Sequence, residues 1–159
     1  MDLLWSELTA GIPDGQHFAV ITIRLFAATI LGAAIGYERE KAGKPAGLRT
    51  HILVTAGTTV FILGCLGAGF KNDSDAISRV IQGIITGIGF VGAGSIMKHE
   101  TGKNIQGITT SAGIWMTAAI GVTIGLGGVG FAAIATILTL VILRVTHRFE
   151  RRLTKLMSD

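Results

Sequence analysis

The sequence predicts an all-α integral membrane protein, a compact bundle of about five transmembrane helices with its N-terminus outside and its C-terminus inside. Three observations predict it. A mean hydropathy of +0.59, with 49% hydrophobic and 15% charged residues, is too apolar for an ordinary water-soluble domain, and 159 residues suit one structural unit. Apolar stretches of the length needed to cross a hydrocarbon core, about 20 residues, recur near 18–37, 48–69, 79–97, 107–125 and 127–145. Lys and Arg crowd into alternate connections. Arg39, Lys41, Lys44 and Arg49 fall in 38–49, Lys98 and Lys103 in 98–106, and Arg148, Arg151, Arg152 and Lys155 beyond Arg144, against only Lys71 and Arg79 on the other side. The positive-inside rule then fixes the orientation.

The formal net charge of +4 does not point to nucleic acid, because the basic residues stand beside apolar spans, where they orient the chain and meet anionic lipid. Membrane lipids are the expected surroundings, and no nucleic-acid partner is expected. Cys65, the single cysteine, lies in an apolar run, which leaves no intramolecular disulfide and no Cys-based metal pattern. Residues 1–17 read as a segment outside the membrane, 18–145 as the transmembrane domain and 146–159 as a short basic cytoplasmic tail. The first segment carries Asp2, Glu7 and Asp14 without a Lys or Arg, so it lacks the basic region of a cleavable signal peptide and is expected to stay in the mature protein.

Along the first span, Ala28, Gly32 and Gly36 recur at steps of four, and Arg24 sits about two turns inside. An isolated central Arg costs about 2.5–3.5 kcal/mol on insertion scales, so it should snorkel or find an acid. Asp73 and Asp75 in the outer loop are available, and Asp75 and Arg79 have the spacing of a helical ion pair. Arg24, Asp75 and Arg79 are therefore expected to form outer-face ion pairs with an anchoring role. The third span, "GIITGIGFVGAGSIM", repeats the small-residue step at Gly83 and Gly87 and adds Gly89, Gly92 and Gly94. Close helix packing is the expected use of Gly87, Gly89, Gly92 and Gly94, with a partly unwound helix lining a cavity as the alternative, and no strand or downstream acid makes this a dinucleotide fingerprint. On the fourth span Gly113, Thr117, Gly121 and Gly125 extend the step over three turns, and "GLGG" is a tight turn into the fifth. Such faces bring helices of one chain together, and a homodimer is the alternative use.

"GYEREKAGKPAGLRTHILV", residues 36–54, concentrates six charges at the cytoplasmic mouth of the second span. Pro45 and Gly47 suit a turn into a helix, whose free N–H groups favour anions, and Arg49 adds a planar fork for carboxylate or phosphate. Glu38 and Glu40 do nothing for orientation. An interlocked cluster of Glu38, Arg39, Glu40 and Arg49, bordered by Thr109, Thr110 and Ser111, gives them a purpose. No carboxylate lies in the middle of a predicted span, which weakens a Mg²⁺ pathway. His17, His51, His99 and His147 are scattered over predicted ends and loops, and no HExxH, Ser–His–Asp set or Walker loop occurs. No metal site, cofactor or catalytic residue is expected.

Three ordered stretches, "GYEREKAGKPAGLRTHILVTAGTTVF", "DAISRVIQGIITGIGFVGAGSIM" and "NIQGITTSAGIWMTAAIGVTIGLG", resemble the membrane domain of the MgtC/SapB family over roughly residues 20–145. The family's elements fall on Glu38, Arg39 and Glu40, on Ala46 to Thr50, on Asp75 and Arg79, on Gly87 through Gly94, and on Gly107, Thr109 and Thr110. Thr50 thereby joins the cluster. The resemblance implies a bacterial inner-membrane protein linked to magnesium limitation and survival inside macrophages, regulating machines such as the F-type ATP synthase. Many relatives carry a soluble C-terminal ACT-like domain, whereas this chain stops at Asp159 after "RVTHRFERRLTKLMSD", so roles of that domain are not carried over. The expected function is a non-enzymatic membrane regulator. The alternatives are a transporter of Mg²⁺, phosphate or another ion, and an enzyme or binder that takes a phosphorylated lipid at the Arg49 mouth.

Overall fold

The computed structural model describes residues 4, 6, 14–98 and 105–156, with 97, 98, 105 and 146–156 as backbone. His99, Lys103, the rest of the segment 1–13 and the side chains of Lys98 and the basic tail lie outside the described residues.

The described residues are all-α apart from one two-residue ladder. Helix α1 spans Gly15–Lys41 and starts on Asp14, whose Oδ1 accepts the His17 N–H at 2.8 Å. It runs past the predicted end at 37, so the "ERE" triplet is its last turn and not part of a loop. Helix α2 is Leu48–Gly67, followed by a single 3₁₀ turn, Phe70–Asn72. Helix α3, Ser74–Gly94, begins five residues before the predicted 79 because the Asp73 side chain caps it, accepting the Ala76 N–H at 2.8 Å. Strands β1 (Met97–Lys98) and β2 (Ile105–Gln106) pair antiparallel and lead into α4, Ile108–Gly125. Gly107, which opens α4, has φ +98° and lies so close to the Ser95 carbonyl that a Cβ would overlap it. The turn to α5, Val129–Leu156, is made by Gly127 at φ +100°.

Helices α1 to α4 are each long and apolar enough to cross a membrane, and α5 contributes the 17-residue apolar part Val129–Val145, at the short end of the spanning range of about 17–25 residues. Helix α2 is sandwiched between α1 and α4; α3 flanks α2 and α4, and α5 flanks α1 and α4. One core joins Ala28, Ile35, Ile120, Ile124, Ala132 and Leu143; the other joins Ile62, Ile84, Ile88, Ile114 and Ala118 with Ala46. Phe26, Leu53, Phe61, Phe90 and Phe131 are exposed, Phe90 by 84%. Large apolar groups outside and small or polar ones inside are what a lipid solvent selects.

The small residues of α1 and α4 pack as the spacing predicts. A Cβ on Gly32 would stand 2.8 Å from the His51 carbonyl oxygen, one on Gly36 2.7 Å from Leu48 Cα, and one on Gly125 2.6 Å from Ile62 Cβ. On α3 the expectation fails within the chain. Gly83, Gly87, Gly89 and Gly94 have nothing within 4 Å of a built Cβ, and Gly92 alone is in contact, against Ser111 Oγ. The physical reason is rotation: α3 meets α2 and α4 through Ile84, Ile88 and Gly92, leaving Gly83 and Gly87 on the outer side.

Candidate functional site

The last turn of α1 explains the acids. Arg39 is 2% exposed and Glu38 8%, and Nε of Arg39 donates to Glu38 Oε2 while Nη2 forms an ion pair with the same oxygen. Two neighbouring residues thus neutralise each other where water is scarce, and a partner left alone there would cost about 3–5 kcal/mol. Glu40 serves a different end. Its Oε2 accepts the Leu48 N–H at 2.9 Å, capping α2 from eight residues upstream, because Gly47 at the helix start has no side chain to do so. A carboxylate at this place also meets the positive end of the helix dipole. Gly47 makes the approach possible, since a Cβ there would lie 2.9 Å from Glu40 Oε2.

One turn into α2, His51 is wholly buried. Its Nδ1 is 2.7 Å from Thr117 Oγ1, and the Thr117 hydroxyl lies 2.8 Å from the Gly113 carbonyl. If the hydroxyl proton goes to Gly113, the ring donates from Nδ1 and Nε2 is left as a bare acceptor. Among the described residues Nε2 has no hydrogen-bond partner. Gly113 faces the imidazole, a Cβ built on it lying 3.7 Å from Cε1, in ordinary van der Waals contact. Below the ring, Thr55 donates to the His51 carbonyl at 2.7 Å and Thr59 crosses to the Gly121 carbonyl at 2.8 Å. Thr110, buried, lies on the same helical face as Gly113 and Thr117.

The predicted cluster is therefore divided. Glu38 and Arg39 come together inside, with Thr110 buried in the adjoining helix; Glu40 caps from outside; Arg49 and Thr109 are exposed and Thr50 is half-buried. Arg49 takes no part in the buried pair, because it sits on the solvent side of the first turn of α2. At the opposite end, the expected pairing of Arg24, Asp75 and Arg79 is replaced. Arg24 Nη1 donates to the Gly125 carbonyl at 2.8 Å, a free acceptor at the end of α4. Asp75 and Arg79 are exposed, and among the described residues the ion pairs within 4.0 Å are Glu38–Arg39 and Asp14–His17. His51 is the residue that sequence reasoning placed at a span end and missed. The signal was available: His51, Thr55 and Thr59 repeat at steps of four, matching Gly113, Thr117 and Gly121 on the fourth span.

Among the described residues no three of His, Cys, Asp and Glu gather as metal ligands would. The arrangement is a neutralised, hydrogen-bonded polar seam capped by an exposed basic mouth.

The profile described as the MgtC family matches residues 25–152. The chain belongs to the MgtC family. Among related proteins, this MgtC-family chain is 41% identical over 140 residues to "Putative magnesium transporter YhiD" of Escherichia coli K12, covering 85% of this chain and 64% of the relative. It is 37% identical over 151 residues to Protein SrpB of Synechococcus elongatus, covering 88% and 81%. To Protein MgtC of Salmonella typhimurium 14028s it is 44% identical over 118 residues, covering 74% of this chain and 48% of that protein. The chain thus spans less than two thirds of YhiD and about half of MgtC. No solved structure matches it.

Proposed function

We propose that this MgtC-family chain is a non-enzymatic regulator in the bacterial inner membrane, with its basic loops cytoplasmic, acting on another membrane protein during magnesium limitation and intracellular survival. The observation that supports this reading is the closure of the seam along α2. Gly32 and Gly36 bring α1 onto it, Gly121 and Gly125 bring α4 onto it, and the Thr55, Thr59 and Thr117 hydroxyls are within hydrogen-bonding distance of backbone carbonyls. An ion path wants oxygens facing a space, and here they face helices. Arg49, exposed at the mouth of α2, offers its fork to an acid of the partner. The F-type ATP synthase is the partner that the family resemblance implies, and the bare side of α3 is a surface on which it, or a second copy, can rest.

Transport of Mg²⁺ is the second reading, favoured by the name of the YhiD relative. The full chain in sealed vesicles separates the two. No flux of Mg²⁺ or phosphate above empty vesicles is expected, and flux above them sinks the regulatory reading. In cells, Arg49→Ala is expected to fail to restore growth in low magnesium while losing under about 1 kcal/mol of stability, the measure of an exposed charge. Lys41→Ala should restore growth. Equal growth with both variants would remove Arg49 from the site.

A further inference from the structure

At the end of the bundle opposite the Glu38–Arg39 pair, α1, α2, the 3₁₀ turn and α3 leave a groove of about 530 Å³. Its lining has two parts. His17, Arg24 and Lys71 supply polar and cationic groups, while Ile21, Leu63 and Leu66 are among the apolar residues that make up much of the rest. His17 is already engaged by Asp14 at 3.0 Å. Arg24 gives Nη1 to the Gly125 carbonyl, and among the described residues neither Arg24 nor Lys71 has a carboxylate within 4.0 Å. Among the described residues Arg24 therefore keeps guanidinium donors beyond the one it spends on Gly125, half-buried at membrane depth, where an unneutralised charge is expensive.

A free inorganic anion would answer the charge but has no use for the apolar wall. A fatty chain would answer the wall but not the charge. We infer that this groove binds an anionic glycerophospholipid, its phosphate between Arg24 and Lys71 and one acyl chain along Ile21, Leu63 and Leu66. Basic pockets between transmembrane helices on the cytoplasmic side recognise such headgroups, and this end of the bundle offers the same pairing of cations with an apolar wall; the volume lies within the range of about 300–1,000 Å³ for small-molecule sites. The site is independent of the regulatory reading, since it requires only that the chain stand in a bilayer.

Native mass spectrometry of the full chain, with phosphatidylglycerol, phosphatidylcholine of the same chains and inorganic phosphate as probes, tests it. Phosphatidylglycerol should be retained in preference to phosphatidylcholine. Each basic group near a membrane surface contributes about fivefold, so Lys71→Gln should lower the preference about fivefold and the Arg24→Gln, Lys71→Gln pair about 25-fold. Arg79→Gln, exposed outside the groove, should leave it unchanged. Should the double variant fail to fold, Lys71→Glu, on an exposed turn, decides by the same readout. Equal retention of both lipids, an equal loss with Arg79→Gln, or displacement by inorganic phosphate would overturn the proposal. So would a dimer mass without lipid, which would give the groove to a second copy.

Discussion

On α4, Gly113, Thr117, Gly121 and Gly125 turn toward α2; on α3, Gly83 and Gly87 have the same spacing and meet nothing among the described residues. The difference lies in what stands opposite. Helix α2 answers α4 with a stripe at the same step, His51, Thr55 and Thr59, so the His51 ring meets the Thr117 hydroxyl and the Thr59 hydroxyl meets the Gly121 carbonyl where glycine lets the helices close. No such stripe faces Gly83 and Gly87. A row of small residues therefore permits an approach, and the complementary row on another helix decides whether it occurs.

The sharpest way to break the α2 seam is at its charged end. Arg39→Ala should cost about 3–5 kcal/mol, because Glu38 would remain buried and unpaired, while Arg39→Ala with Glu38→Ala should recover a large part of it. Reversible unfolding in detergent micelles reads both, and a single variant no weaker than the double would show that the pair contributes nothing. Next comes Gly121→Ala. Its new Cβ would overlap the Thr58 hydroxyl and the Thr55 carbonyl, and since a carbonyl of helical backbone cannot step aside, the loss should reach the upper part of the usual overpacking range of about 1–3 kcal/mol. Equal stability to the native chain would mean that α2 and α4 are less close than described.

The α3 face should respond in the opposite sense. Gly87→Ala meets nothing within 4 Å and should leave the isolated chain unchanged or raise its stability by up to about 1 kcal/mol, the helix preference of alanine over glycine. Gly92→Ala meets only Ser111 Oγ, a short side chain that can rotate, so its effect should be small and be relieved by Ser111→Gly. If Gly87→Ala instead destabilises the purified protein, a partner or second copy covers that face.

The smallest effect belongs to the cap of α1. Asp14 is held below the usual carboxylate range, first by the His17 backbone N–H and then by the His17 ring. A folded pKa lowered in this way gives a contribution that is present above the unfolded carboxyl pKa of about 3.9 and lost as pH falls through the folded value. The melting difference between the native chain and Asp14→Ala should thus be present at neutral pH and vanish below that window. A difference that persists there would assign the effect to something other than the ionised cap.

Hydropathy made the five helices legible because lipid imposes length and apolarity on them. It misjudged α1 at Glu38–Lys41 and α3 at Ser74, since helices continue or begin beyond the membrane wherever backbone groups find caps, and charged residues hide that continuation. The site was legible in composition but not in connection. Glu38 and Arg39 stood out as charges without an orienting role, yet that Glu40 would cap Leu48, eight residues on, depends on how the chain folds back at Pro45 to Gly47. His51 was hidden because a lone histidine near a span end looks like a loop residue until the threonines below it are read with it.

The bond between His51 and Thr117 joins residues 66 apart in the chain. During synthesis at about 5–20 residues per second, the ribosome needs about 3–13 s to make that interval. For all of that time the hairpin of α1 and α2 stands without the helix that receives its imidazole and its Thr59 hydroxyl. The newborn protein thus passes through a stage in which the His51 and Thr59 face of α2 is open to whatever lies beside it, and the arrival of α4 is the event that ends that vulnerability.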